Sequence, residues 1–179
     1  WRDGERGWLI VATPPQPAGP AGDVQQSLVS GAEPPAPERG RRQVLELVNA
    51  ARAAPRRSGT QSFGASPPLR ESAALRLAAE RHAADMARRA YFDHVGRDGS
   101  SPQERISRAG YAWSISGENL ALGRMSAAEA VAGWLASPGH CANIMDPRFT
   151  ESGVALATGR GAERATYWVQ TFGAPRKTR

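Results

Sequence analysis

From Arg41 the apolar residues Val44, Leu45, Leu47, Val48 and Ala51 recur at helical spacing, and the pattern stops before Pro55, which cannot continue a helix. Residues 56–68 hold Gly59, Gly64 and two prolines and read as loop. A long Ala-rich helix follows from about Glu71 to Ala90, with Leu75, Ala78, Ala79, His82 and Met86 on its buried face. Tyr91-Phe92-Asp93-His94 leaves that helix, and Gly96 and Gly99 make the exit a loop. Two capping boxes come next. Ser101-Pro102-Gln103-Glu104 opens a short helix to Ala109, and Ser126-Ala127-Ala128-Glu129 opens a helix carrying Ala130, Val131 and Trp134. Between them, Tyr111 to Leu122 reads as irregular strand, with a Gly/Asn turn around Glu118. Ser137-Pro138 is a further helix start, the Ser as cap and the Pro at the first position, and Asp146-Pro147 ends that helix.

The rest of the chain reads as strand. Residues 153–157 and 165–172 are two runs with β-branched or aromatic content, and Gly159 to Glu163 has the spacing of a hairpin loop. Helices first and strands last predict an α+β domain, its helices covering a small antiparallel sheet.

Composition divides the chain. Seven of the 14 prolines precede residue 40, so residues 1–39 are expected to be a disordered Pro-rich linker or leader. That segment carries about −2 of a net charge of +6, which leaves about +8 on the rest. A basic domain can attract anionic partners. The basic residues are scattered arginines, however, with Lys177 the single lysine, and no basic stripe with interleaved aromatics marks a nucleic-acid surface. No nucleic-acid partner is expected. Cys141 is the only cysteine, so no internal disulfide can form. No apolar run approaches the roughly 18 residues of a membrane span, and Trp8 to Ala12 is too short for a signal-peptide core. The chain begins with Trp rather than Met, as a fragment or processed form would.

Three polar residues stand out by context: His94 at a helix exit, Glu118 among apolar and small neighbours, and His140 in the first turn of a helix. Two His and one carboxylate could hold zinc with a water in the fourth position. They are equally the minimum for general acid–base chemistry, and a scattered surface placement competes with both. His82 lies within an apolar stripe and reads as a core histidine bonded to backbone. Cys141 is next to His140, but helix neighbours point about 100° apart, so the two are poorly placed to pair. It reads as a small buried side chain. Ser137 reads as a cap rather than a nucleophile.

Several segments together resemble one family. They include Leu47-Val48-Asn49-Ala50-Ala51-Arg52, His82-Ala83-Ala84-Asp85-Met86-Ala87 leading to Tyr91-Phe92-Asp93-His94, Asp98-Gly99-Ser100-Ser101-Pro102 and Arg105-Ile106. Pro68-Leu69, Ala109-Gly110-Tyr111, Gly117-Glu118-Asn119-Leu120, Ser137-Pro138-Gly139-His140 with Asn143-Ile144, and Tyr167 to Gly173 complete the set. In this order, over about residues 41–173, they resemble the bacterial branch of the CAP superfamily, the SCP domain of cysteine-rich secretory proteins, venom allergens and pathogenesis-related proteins.

The resemblance implies an α-β-α sandwich over residues 40–175, followed by a basic tail at 176–179, with a central cleft lined by a His/Glu/Glu/His tetrad. His94, Glu118 and His140 match three of the four positions. The family's remaining acidic residue follows the Trp of the preceding helix, where this chain reads Trp134-Leu135-Ala136-Ser137, so the tetrad is incomplete. Glu129 lies earlier on that helix and is better explained by its capping box. The implied protein is secreted or surface-associated, extracellular or in the cell envelope, and is expected to be a monomer. It would bind a small ligand, a lipid or envelope component included, or a divalent ion such as Zn²⁺ through His94 and His140, and would not turn over a substrate. The alternatives are a metal-dependent hydrolase with Glu118 as base and a lipid- or sterol-binding module. Asn119 and Asn143 are expected to brace the loops.

Overall fold

The computed structural model describes residues 8–11, 37–160 and 164–176. Its elements run β1 (Trp8–Val11), α1 (Pro37–Arg52), β2 (Arg56–Ser58), β3 (Gln61–Phe63), β4 (Arg70–Glu71), α2 (Ala73–Arg89), α3 (Pro102–Arg108), β5 (Trp113–Gly123), α4 (Ala127–Ala136), α5 (Pro138–Met145), β6 (Glu151–Thr158) and β7 (Thr166–Pro175). This is an α+β domain, as the pattern of elements predicts, and it has helices on both faces of one sheet, the sandwich that the family resemblance implies.

The main sheet has the order β1-β5-β7-β6-β4. Its centre, β5-β7-β6, is antiparallel, with Glu118 opposite Thr171 and Thr171 opposite Gly153. Both edge strands run parallel to their neighbours, β1 along β5 and β4 along β6. One face packs against α2, where Ala79, Ala83 and Met86 meet Leu120, Ala155 and Val169. The other packs against α1, α4 and α5, where Val44, Val48, Trp134 and Ile144 meet Ala121, Val154, Trp168 and Phe172. Strand side chains alternate between faces, so neighbouring residues of β5 enter different layers.

Two contacts lock the sheet to α2. A Cβ at Gly153 would lie 2.0 Å from the backbone N of Arg76, an approach that only glycine allows. Beside it, Thr171 Oγ1 donates to the carbonyl of Leu75 at 3.0 Å.

Four expectations need adjustment. The linker expected over residues 1–39 contains strand β1 at 8–11, and residues 37–39 form the start of α1; residues 1–7 and 12–36 lie outside the described set. Helix α1 begins at Pro37 because proline suits a first turn, whose N–H groups lack intrahelical partners in any case. The loop read over 56–68 contains the β2–β3 hairpin, turned at Gly59 with φ +56°; its strands are three residues each, too short for a periodic signal. Glu118 sits in the middle of one eleven-residue strand and not in a turn, since the only irregularity in the β5–β7 pairing falls between Trp113 and Ile115. The β6–β7 pairing agrees with the hairpin expected there, although residues 161–163 and the tail at 177–179 lie outside the described set.

Candidate functional site

Each of the three predicted site residues is positioned by a different element. His94 stands in the loop after α2, and that loop is tied back to the helix by His82, whose Nε2 donates to the carbonyl oxygen of Asp93 at 2.9 Å. His82 is buried and stacks edge-on against Tyr91. It is therefore the core histidine expected from its stripe, and it also anchors the residue directly before His94. Burial lowers its pKa, opposed by the nearby Glu118 carboxylate.

Glu118 comes from the centre of β5 and is 2% exposed. The short Gly117 before it allows the Phe149 ring to pack on the strand, since a Cβ there would lie 3.0 Å from Phe149 Cζ. The Nδ1 of His94 donates to Glu118 Oε1 at 2.8 Å. Nη2 of Arg105 reaches both carboxylate oxygens, at 3.1 Å and 2.9 Å. Nη1 of the same guanidinium donates to the carbonyl of Ser100 at 2.8 Å. Burial pushes the Glu118 pKa up, but the His94 hydrogen bond and the Arg105 charge outweigh it, and the net shift is downward. The carboxylate is thus ionised and committed to two partners.

His140 lies in the first turn of α5 and is 1% exposed. Ser137 is the N-cap residue by backbone geometry, but its side chain makes no capping hydrogen bond. Its hydroxyl instead pairs with His140 Nδ1 at 2.9 Å. The capping role expected for the Ser137 side chain is therefore corrected. Three residues after the cap, the imidazole returns over the helix start and competes for the hydroxyl.

His94 and Glu118 are brought into direct contact, and two asparagines tie the strand that carries Glu118 to the helix that carries His140. Asn119 Nδ2 donates to the His140 carbonyl at 3.2 Å, and Asn143 Nδ2 donates to the Glu118 carbonyl at 3.3 Å and to Asn119 Oδ1 at 2.9 Å. These two asparagines brace, as expected, through backbone carbonyls, but they join strand β5 to helix α5 rather than loops. Cys141 is fully buried with its thiol pKa raised by burial, and so is inert packing. Glu129 caps α4 through the Ser126 backbone N–H and hydroxyl, at 2.7 Å and 2.8 Å. It does not supply the missing carboxylate.

Arg105 escaped the sequence reading of the site. Arg105-Ile106 is one of the segments that carry the family resemblance, but nothing in the sequence links that arginine to Glu118, 13 residues away. It lies in the helix opened by the Ser101 capping box, beside the buried Ile106.

A conventional zinc site needs three or four donors. Among the described residues, no group of three or more His, Cys, Asp or Glu that could hold a metal ion assembles. A cation here would rest on two imidazoles and solvent. The His94–Glu118 pair does have the outer arrangement that suits a ligating histidine, a carboxylate on Nδ1 directing Nε2 away.

Comparison with known proteins agrees with this architecture. The family model described as the cysteine-rich secretory protein family, CAP, matches residues 45–172. An uncharacterized Bacillus subtilis protein, YkwD, is 33% identical over 131 residues, covering 73% of this chain and 46% of that protein. The chain spans less than half the length of the curated relatives it matches. Among solved structures, an extracellular SCP-domain protein from Bacillus anthracis superposes with a TM-score of 0.62 at 24% identity, over 80% of this chain and 45% of that one. An outer surface protein of Borrelia burgdorferi does so with a TM-score of 0.58 at 18% identity, over 75% of this chain and 89% of that one. With its sandwich in place and a family match running from the middle of α1 to near the end of β7, this chain belongs to the cysteine-rich secretory protein (CAP) family.

Proposed function

We propose that the protein is an extracellular CAP domain whose cleft binds a ligand at His94 and His140 and does not turn it over. The observation carrying this reading is the state of Glu118. A general base needs a lone pair and a pKa near the working pH. Glu118 is buried, accepts from both His94 and Arg105, and has its pKa shifted down. Its bond to Nδ1 holds the His94 ring in place, as a carboxylate does for a ligating histidine. The same facts weigh against a hydrolase using Glu118 as base.

The ligand class that suits two imidazoles is a divalent cation, zinc included, held by His94 and His140 with water in the remaining positions. Such an ion would supply a Lewis-acidic centre to an anionic or carbonyl group. With two protein donors it would exchange readily. An extracellular setting is supported by the descriptions of the B. anthracis and B. burgdorferi proteins, one extracellular and one at the outer surface.

Zinc titration calorimetry tests the reading. The wild-type chain is expected to bind one zinc ion, and His94→Ala/His140→Ala to lose that heat. Equal uptake by both proteins overturns the site. Hydrolysis of a peptide or ester panel that disappears in Glu118→Gln overturns the non-catalytic role.

A further inference from the structure

A concavity of about 220 Å³ lies between α2 and α3. Arg81, Asp85 and Arg89 reach it from one face of α2, four residues apart, and Arg105 and Arg108 reach it from α3. His82, Tyr91, Asp98 and Ser100 also line it. The space equals that of about seven waters, enough for a tetrahedral oxyanion with part of its hydration.

The donors in this wall outnumber the acceptors. Asp85 is already occupied: Oδ1 by Arg88 and Arg89, Oδ2 by the Tyr91 hydroxyl at 2.9 Å. Asp98 is occupied too, Oδ1 by the Ser100 N–H and hydroxyl and Oδ2 by Arg108 Nη1 at 3.1 Å. A guanidinium has five N–H donors. Arg108 gives one nitrogen to Asp98 and Arg89 gives its Nε to Asp85. Arg81 makes no hydrogen bond or ion pair among the described residues. Arg97 adds a further positive charge over the Tyr91 ring, 4.9 Å from its centroid. Forked donors converging on a concavity whose own carboxylates are spent match the oxygens of a phosphate group.

We propose that this cavity binds a phosphate group, held by Arg81, Arg89 and Arg108 with Arg105 as the least exposed of its four arginines. The cavity is separate from the proposed cation site and its occupancy does not depend on that reading. Arg105 connects the two, because it lines the cavity and also holds Glu118, the partner of His94. A phosphate beside Arg105 and His82 adds negative charge behind the Glu118–His94 pair, so its binding is felt at both rings. Free phosphate, an envelope polymer and a lipid headgroup all present this group, and the chemistry of recognition is the same for each.

Calorimetric titration of the whole chain with inorganic phosphate in chloride buffer tests this. Saturable one-to-one binding is expected, weakened about tenfold or more in Arg81→Ala/Arg108→Ala and retained in His94→Ala/His140→Ala. Phosphate should also move the His82 ring resonances in NMR spectra of the wild type. Arg81→Gln alone, an exposed change that removes no contact, should weaken binding as well and guards against misfolding of the double variant. Flotation with phosphatidylglycerol vesicles separates the sources. Recruitment that is competed by phosphate and lost in the arginine variant assigns the lipid headgroup, whereas phosphate binding without recruitment assigns the free or polymer-borne group. Absence of saturable phosphate binding, or equal binding by the folded arginine variants, overturns the proposal.

Discussion

A single nitrogen of Arg105, Nη2, lies within hydrogen-bond distance of both carboxylate oxygens of Glu118, at 3.1 Å and 2.9 Å. Glu118 is 1% and Arg105 10% exposed at the side chain, so this ion pair is largely withdrawn from water. Such a pair contributes little net stability relative to apolar residues, but losing one member is costly, because the other is left as an uncompensated buried charge.

Arg105→Met should therefore destabilise the domain by about 3 kcal/mol or more. It should also raise the Glu118 pKa, since burial would then be opposed mainly by His94. Urea denaturation of Arg105→Met, Glu118→Gln and the double variant checks the coupling. The double variant should be more stable than Arg105→Met alone, and simple additivity of the two losses would refute it.

Acid should begin to weaken the fold through His82. Burial depresses its folded pKa below the ordinary value of 6.5. Above pH 6.5 neither state is protonated and the contribution is fully present. As pH falls from there toward the folded pKa, the unfolded chain takes up a proton that the native state refuses, and stability is lost. Melting temperatures measured from about pH 7 down to about pH 5 should fall in the wild type and fall less in His82→Gln, whose amide can still donate toward Asp93. Parallel curves would show that the acid effect arises elsewhere.

Arg52 is fully buried, and its guanidinium donates to the carbonyls of Pro67, Ile144, Asp146 and Phe149. It joins the end of α1 to the end of α5 and to the segment carrying Phe149. Replacement by Met leaves several acceptors without donors at about 1–3 kcal/mol each. The domain should lose at least about 3 kcal/mol, and Arg52→Lys should restore only part because one ammonium cannot span four carbonyls. A Lys variant as stable as wild type in thermal unfolding would refute the spanning role.

Ser137→Ala should cost only about 0.5–1.5 kcal/mol, the usual value of one hydrogen bond. Its clearer effect should be on His140, whose Nδ1 loses its 2.9 Å partner. Nitrogen-15 NMR of the imidazole should show a changed tautomer balance. An unaltered ring spectrum would mean that the hydroxyl does not orient His140.

Much of this molecule is written locally. The two capping boxes at Ser101 and Ser126, the Pro138 helix start and the apolar stripe of α2 depend on residues three or four apart, and each lies where its pattern places it. The ordered segments resembling the CAP family likewise pointed to the sandwich and to His94, Glu118 and His140 as candidates. The spacing of those three carried no information on who touches whom. That Glu118 lies in a continuous strand, that His94 bonds it and that Arg105 neutralises it were decided when β5 was laid between the α2–α3 layer and α5. Contacts between residues 13 to 25 apart depend on that three-dimensional placement and on the loss of water it brings, and neither leaves a period in the chain. The same holds for Ser137, a cap by its sequence and a partner of His140 by its geometry.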